Sequence, residues 1–274
     1  MTSSTRTLDA ARLSPALLFL LVLVAAAVAA PVLAPFAADA VDLANRRAAP
    51  SATHWFGTDE LGRDVLTRVL TGARVSLAIG LLSAIASAGV GTLAGSVAGM
   101  SRGWVDDLLM RVTDAMLAIP RLPLLMLAAA VVQPGIPALI VLVALTGWME
   151  TARVVRADVL SLGSRDFIQA AHAMGATPTR VLLRHLLPAV VPTLSVATTL
   201  AIGRAILLES TMSFFGVGVQ PPTASWGNML YQAQSTMSSE PWLAVFPGVF
   251  IFATVLACNV VGDSLGQVPR RQNA

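Results

Sequence analysis

Histidine and serine residues are grouped near the middle of the chain, where His172 and His185 follow Ser161 and Ser164. An imidazole beside a hydroxyl is the pair with which many hydrolases generate a nucleophile. However, no serine stands in a Gly-x-Ser-x-Gly elbow, and no His-Glu-x-x-His motif occurs. The sequence therefore argues against an intramembrane protease that would use one of these serines, or Ser210, as its nucleophile.

A second group of side chains, Asp114, Arg121, Arg204 and Glu209, lies within long apolar runs. Ionised side chains are costly inside a membrane and usually face protein or water there. We expect these four residues to line a translocation pathway. For Asp114 and Arg121, which lie in the third apolar run, the alternative is a purely structural ion pair. Three of them, Asp114, Arg204 and Glu209, would also suit the relay of an ion-coupled secondary transporter. Asp114 follows Arg111 by three residues, so these two are predicted to pair on one helix face.

The composition is that of a membrane protein. Hydrophobic residues make up 55% of the 274 residues, charged residues make up 12%, and the mean hydropathy is +0.74. All 18 basic residues are arginines, so the chain lacks the lysine of a nucleotide-binding P-loop and is not expected to hydrolyse ATP. The single cysteine, Cys258, excludes an internal disulfide, and no basic run indicates nucleic acid binding. We expect neither a cofactor nor a metal site in this chain.

Apolar runs of about 20 residues, the length that crosses a bilayer, predict six transmembrane helices and an all-α fold. The first run is long for the core of a cleaved signal peptide, and Pro31 and Pro35 suit the end of a span, so we interpret it as a retained helix. The second run carries Ser83, Ser87 and three glycines at four-residue intervals, which allows close helix packing. The predicted spans are 14–34, 75–98, 108–131, 137–155, 189–214 and 242–262, with a loop at 102–107, a tight turn at 133–135 and a short helix near Trp226.

A surface helix is predicted in the segment that follows the first span. Thr58 is placed to cap a helix whose first turn holds Asp59, a favourable charge at that end of the helix dipole. Apolar residues between 61 and 70 fall on one face of this helix, and Arg63 and Arg68 fall on the other. We expect it to lie along the outer membrane surface.

The most regular motif lies in the polar stretch between the fourth and fifth spans. It reads Gln169-Ala170-Ala171, three residues, Gly175, nine residues, then His185-Leu186-Leu187-Pro188. Its small helix-forming residues predict a short helix suited to docking in a partner's groove, with a bend at Gly175. The Thr177-Pro178 pair predicts the start of a second helix.

This pattern resembles the coupling motif of importer-type ABC permeases, whose idealised form is Glu-Ala-Ala, three residues, Gly, nine residues, Ile, any residue, Leu-Pro. Two departures are present: Gln169 replaces the usual Glu and removes a charge that would pair with an arginine, and His185 replaces Ile, as in the peptide-permease branch. The resemblance implies that coupling to an ATPase involves Gln169, Ala170, Ala171, Gly175, His185, Leu187 and Pro188.

Two further segments, 54–66 and 205–230, resemble the C-type permease subunits of dipeptide and oligopeptide transporters, so the resemblance covers roughly residues 54–265. It implies a type I ABC importer permease fold with a cytoplasmic coupling helix. It also implies a heterodimer with a B-type permease, two ATPase subunits that hold ATP and Mg²⁺, and an external substrate-binding protein. The implied mechanism is alternating access for peptides, with nickel, glutathione or opine as alternative substrates.

Arginine placement predicts the orientation. With the amino terminus inside, the inner segments hold eleven arginines, the first external segment holds five, and the spans hold two. This bias places both termini and the motif on the cytoplasmic side, and the resemblance implies that the membrane is a bacterial inner membrane. The predicted division is 1–13 as a tail, 14–34 as the first span, 35–74 as an external segment with the surface helix, 75–265 as the permease core with its coupling loop 158–188, and 266–274 as a second tail.

Overall fold

A computed structural model describes residues 3–101, 103–132 and 135–272, and helices dominate these residues. The predicted turn at Gln133 and Pro134 lies outside them. In chain order the helices are α1 (Ser3–Leu33), α2 (Val65–Ser101), α3 (Gly103–Ala118), α4 (Arg121–Val132), α5 (Ile136–Leu145), α6 (Trp148–Gly163), α7 (Asp166–Ala173), α8 (Pro178–Val181), α9 (Leu187–Phe214), α10 (Trp226–Ala233) and α11 (Trp242–Gln272). A 3-10 turn covers Leu43–Asn45, and a π turn covers Leu182–Leu186.

Membrane-spanning helices of two kinds build the fold. Among the described residues, four helices are long and apolar enough to cross a bilayer alone, and two bent pairs bring the number to six. The pairs are α3 with α4, bent by 83°, and α5 with α6, bent by 42°. The predicted all-α polytopic fold is confirmed, but the third and fourth spans are broken where we expected straight helices.

The local sequence explains where these two spans break. Pro120 lies between α3 and α4, and a proline has no amide hydrogen with which to continue a helix. Thr146 and Gly147 separate α5 from α6, and the Gly147 amide bonds back to the Ala144 carbonyl at 3.0 Å. The loop predicted at 102–107 is wrong over its described part, because α3 already begins at Gly103.

The predicted surface helix capped by Thr58 is also wrong. Helix α2 begins at Val65, where the Asp64 carboxylate accepts the Thr67 amide at 2.8 Å and so acts as the cap. The Thr58 hydroxyl instead accepts the Ala48 amide at 2.8 Å and ties the external segment together. Since α2 continues to Ser101 without interruption, the expected surface helix and the second span form a single helix.

The residues before α2 form a turn around a buried carboxylate. Gly57 and Gly62 have φ angles of +76° and +74°, which other residues rarely adopt. Between them Asp59 accepts the Arg63 amide at 3.0 Å and pairs with the Arg63 guanidinium at 2.7 Å. Arg68, which is 1% exposed, approaches the same carboxylate at 3.6 Å. The two arginines expected on the solvent face are therefore buried in an ionic cluster.

Other contacts hold the external segment against the bundle. The Phe56 ring stacks on Phe246 of α11 with 3.8 Å between the ring centroids. Earlier in the segment, the Asn45 side chain donates to Asp42 at 2.8 Å, and this bond together with the Ala44 amide lowers the pKa of Asp42 from its usual value. The segment is thus an ordered cap on one end of the bundle.

Helix α2 packs closely on α6 through the predicted glycine ladder. A Cβ atom at Gly91 would lie 2.6 Å from the Trp148 carbonyl oxygen, and one at Gly99 would lie 2.8 Å from Val159. Gly95 lies closest of the three, against the Ala152 carbonyl. The small residues therefore serve to bring two backbones together, as their spacing predicted.

The fifth span begins earlier than expected. Helix α8, the π turn and α9 form one helix of 37 residues, from Pro178 to Phe214. In the π turn the Leu187 amide bonds to the Leu182 carbonyl, and Pro188, which has no amide hydrogen, follows directly. The second helix of the polar stretch and the fifth span are therefore one continuous rod.

A buried carboxylate joins this rod to α2 and α10. Glu209 is 1% exposed and accepts hydroxyl bonds from Ser76 at 2.9 Å and from Ser213 at 2.7 Å. Ser76 in turn accepts the Trp226 amide at 3.2 Å, and Ser213 accepts the Val219 amide at 3.0 Å. This chain of bonds fixes the irregular return between α9 and α10 inside the protein.

Replacing Gly95 with alanine should weaken the contact between α2 and α6. The added methyl group has no space against the Ala152 backbone, and overpacking of this kind costs about 1–3 kcal/mol. The matched control is Gly89→Ala on the same helix, where a Cβ would meet nothing within 4 Å and the better helix propensity of alanine should stabilise by up to about 1 kcal/mol. Melting temperatures in detergent compare the two variants, and equal temperatures would contradict the proposed packing.

Replacing Glu209 with alanine should destabilise the fold by about 3 kcal/mol, because the two serine hydroxyls lose their buried acceptor. Glu209→Gln keeps the shape and one carbonyl acceptor and should cost about 1 kcal/mol. Melting temperature and protease cleavage between residues 215 and 225 measure both effects. A Glu209→Ala protein with wild-type stability and an intact return segment would refute this role.

Candidate functional site

The motif segment, defined as residues 158–188, contains the two helices that its sequence predicted. The short helix α7 covers Asp166–Ala173 and ends before Gly175, whose φ of +80° makes the bend. Thr177 then caps α8 by accepting the Arg180 amide at 3.4 Å, and Pro178 occupies the first turn. Both predictions are confirmed, and each follows from local backbone chemistry.

Helix α7 presents one face to the protein and one face to the surface. Ile168 and Ala171 are 1% and 4% exposed and pack in a cluster with Val155 and Val159 of α6. Exposed residues on the other side are Phe167, Gln169, Ala170, Ala173 and Met174. Ala171, which the sequence analysis placed among the coupling residues, is buried against its own chain.

The later motif residues lie on the continuous rod. His185 is half-buried within the π turn, while Leu187 and Pro188 begin α9 with Leu187 half-buried and Pro188 exposed. The preceding Val181 and following Leu186 are buried in the same cluster as Ala171. Helix α7 is thus packed on the base of a helix that crosses the membrane.

A second site forms where the two broken spans meet. Arg121, at the start of α4, donates to the Thr146 hydroxyl at 3.0 Å and to the Val143 carbonyl at 3.1 Å. From α2, Ser87 donates to the Ala144 carbonyl at 3.0 Å, and Ser83 donates to an earlier carbonyl of α5. These donors tie α2 and α4 to the carbonyl groups of α5, in a part of the chain where lipid would offer such groups no hydrogen bonds.

Glu150 and Arg204 complete this site. The Arg204 guanidinium of α9 pairs with the Glu150 carboxylate of α6 at 2.5 Å. Arg121, Glu150 and Arg204 line one small cavity together, and Arg121 with Glu150 also lines a neighbouring cavity of about 260 Å³ beside the break at Pro120. Glu150 was not among the predicted pathway residues, although an acidic residue inside a predicted span is itself a signal of function.

The other predicted pathway candidates lie outside this cluster. The predicted pair between Asp114 and Arg111 is wrong, because Asp114 pairs with Arg153 of α6. A second pair between α3 and α6 joins Arg156 to Asp106 at 2.5 and 2.6 Å. Glu209 is enclosed by serines, so its carboxylate does not face a cavity surface in this conformation.

The arrangement of serine and histidine residues does not fit nucleophilic catalysis. Ser210 lies on the same helix as His185, about 37 Å further along it at 1.5 Å per residue. Ser164 donates to the Ser161 carbonyl at 2.9 Å within its own turn. Ser210 and His185 are therefore too far apart to act as a nucleophile and its base in this structure.

Comparison with known proteins identifies the family. Residues 91–270 match the family described as "Binding-protein-dependent transport system inner membrane component". The glutathione transport system permease protein GsiD of Escherichia coli is 43% identical over 91% of this chain and 83% of its own length. A Brucella suis protein, provisionally named as a peptide permease, is 40% identical over 86% of this chain and 78% of its own length.

A solved structure shows the same fold. A chain of the MetNI methionine ABC transporter in inward-facing conformations superposes with a TM-score of 0.63, covering 74% of this chain and 96% of that chain at 20% identity. The chain therefore belongs to the family of binding-protein-dependent transport system inner membrane components and is a multi-pass permease subunit of an ABC importer.

Proposed function

We propose that this chain is the C-type permease of a peptide-class importer and forms the translocation pathway with a related B-type permease in the bacterial inner membrane. Two partner ATPase subunits, which bind ATP and Mg²⁺, and an external substrate-binding protein complete the proposed complex. The names of the relatives favour peptides or glutathione over the nickel and opine alternatives.

The observation that carries this proposal is the exposed face of α7 at the base of the rod from Pro178 to Phe214. In the proposed mechanism the ATPase grips that face, and closure of the ATPase dimer moves α7 together with the rod. A ligand shifts an equilibrium only through different interactions with the two states. ATP binding on the partner therefore changes the contact with Phe167, Gln169, Ala170, Ala173 and Met174, and the permease pair opens outward.

The pathway in this proposal passes the cluster of Arg121, Glu150 and Arg204. Asp114, paired with Arg153, is 59% exposed and lies near the inner mouth of the same route. Glu209 enters the pathway only in a conformation that breaks the hydrogen bonds between its carboxylate and the serine hydroxyls. These assignments rest on exposure and charge, since an ionised side chain half exposed within a span needs water or protein beside it.

The proposed orientation predicts that α7 faces the cytoplasm. In a Cys258→Ala background, which removes a buried thiol, a cysteine at the exposed Ala170 position should react with a membrane-impermeant maleimide only after the membrane is opened. A cysteine at Leu43 of the external segment, which is 63% exposed, should react in intact cells. Labelling of the Ala170 cysteine from outside would overturn the orientation and the proposed coupling role.

Ala170→Arg should uncouple the transporter. Because the Ala170 side chain is exposed, the variant should fold without strain. The long arginine side chain would instead fill the proposed groove of the ATPase. We expect uptake to fall at least about tenfold, equivalent to 1.4 kcal/mol of lost contact, while the ATPase loses its stimulation by the loaded binding protein. Both rates are measured in proteoliposomes that contain the whole complex.

Two controls separate coupling from folding. Ala170→Ser keeps the side chain small and should retain near wild-type uptake. Ala171→Leu should instead lower the melting temperature, because Ala171 is buried in the chain's own core. Uptake that persists without any ATPase subunit would favour the ion-coupled secondary transporter and end the proposal.

A further inference from the structure

The Glu150–Arg204 pair lies deep within the membrane-spanning part of the protein. Arg204 is ten residues, about 15 Å, before the end of the rod at Phe214, and Glu150 lies about midway along the bent span from Ile136 to Gly163. Both charges therefore lie within segments that are long and apolar enough to cross a bilayer.

These charges are also open to the outside of the chain. The side chain of Arg204 is 48% exposed and that of Glu150 is 44% exposed. A charge at this depth is costly when it faces lipid, so this face turns toward the pathway or the second permease. Glu150 and Arg121 also line the neighbouring cavity of about 260 Å³.

The cluster carries an uncompensated positive charge. Two guanidinium groups and one carboxylate line the small cavity, together with Gly147 and Ser87. The bonds of Arg121 to Thr146 and Val143 involve neutral oxygens, so they hold the guanidinium in place without neutralising it. A guanidinium has five N–H donors, and these two bonds use two of them.

We propose that this cluster is a charge-selective subsite for small peptides that carry one ammonium and two carboxylates. The inference rests on the proposed function and adds its substrate class. During passage the ammonium replaces Arg204 on Glu150, and the carboxylates bind the guanidinium groups of Arg204 and Arg121. The internal ion pair closes the site when no substrate is present, and a substrate of matching charge opens it by exchanging partners.

The test uses the complete transporter in proteoliposomes with a matched peptide series: Ala-Glu-Ala, Ala-Gln-Ala and Ala-Lys-Ala. The measured quantity is the ratio of kcat/KM for import of Ala-Glu-Ala to that of Ala-Lys-Ala, with the same binding protein throughout. Wild type should prefer Ala-Glu-Ala, Arg204→Gln should lower the ratio at least about tenfold, and Glu150→Gln should raise it. Glutathione import, measured alongside, should follow Ala-Glu-Ala.

Arg156→Gln is the matched control, because it removes another ion pair between α6 and α3, six residues further along α6, and should leave the ratio unchanged. If Arg204→Gln fails to assemble, Arg204→Lys keeps the charge and should retain the wild-type preference. Equal changes for all three peptides, or a wild-type transporter indifferent to peptide charge, would overturn the subsite. A wild-type complex that imports none of the peptides or glutathione would instead refute the proposed function itself.

Discussion

Polar groups inside this membrane protein depend on one another, because lipid offers them no hydrogen bonds. The break at Thr146 interrupts the hydrogen bonds along the fourth span. Arg121 of α4 donates to the Val143 carbonyl, and two serines of α2 donate to other carbonyls of α5. These bonds tie α2 and α4 to α5.

The same requirement explains why α2 is central to the fold. Its serines bond to α5 and to Glu209, and its glycines admit the backbone of α6. The ladder that the sequence predicted as a packing surface is therefore also a row of hydrogen-bond donors. Ser76 extends this role to the Trp226 amide, so that the irregular return after the rod is held by the same helix.

The spans and the motif helices could be predicted because their signals are local. Apolar runs determine which segments enter the bilayer, and Thr177 with Pro178 is a local signal for the start of a helix. The turn around Asp59 could not be predicted from periodicity, because it depends on two buried arginines and on glycines with positive φ. Likewise, Ala171 is buried because α6 packs against it, and no local sequence pattern indicates this contact.

The charged cluster was predictable only in part. Arg121 and Arg204 stand out as ionised residues in apolar runs, but their approach to Glu150 requires the bends of two spans, which the sequence indicates only through one proline and one glycine. Family membership constrains the fold and the transport role. The pairing of particular charges is a property of the three-dimensional arrangement.

The π turn sets how far one end of the rod is rotated about the helix axis relative to the other end. Val181, Leu186 and Val190 all face one cluster, at spacings of five and then four residues, so the extra residue keeps His185 out of the core. A deletion of one residue there would swing Arg204 and Glu209 by about 100° relative to α7. The rotation of the charged residues relative to the end that packs on α7 is thus set by a single irregular turn, and helix length alone would not preserve it.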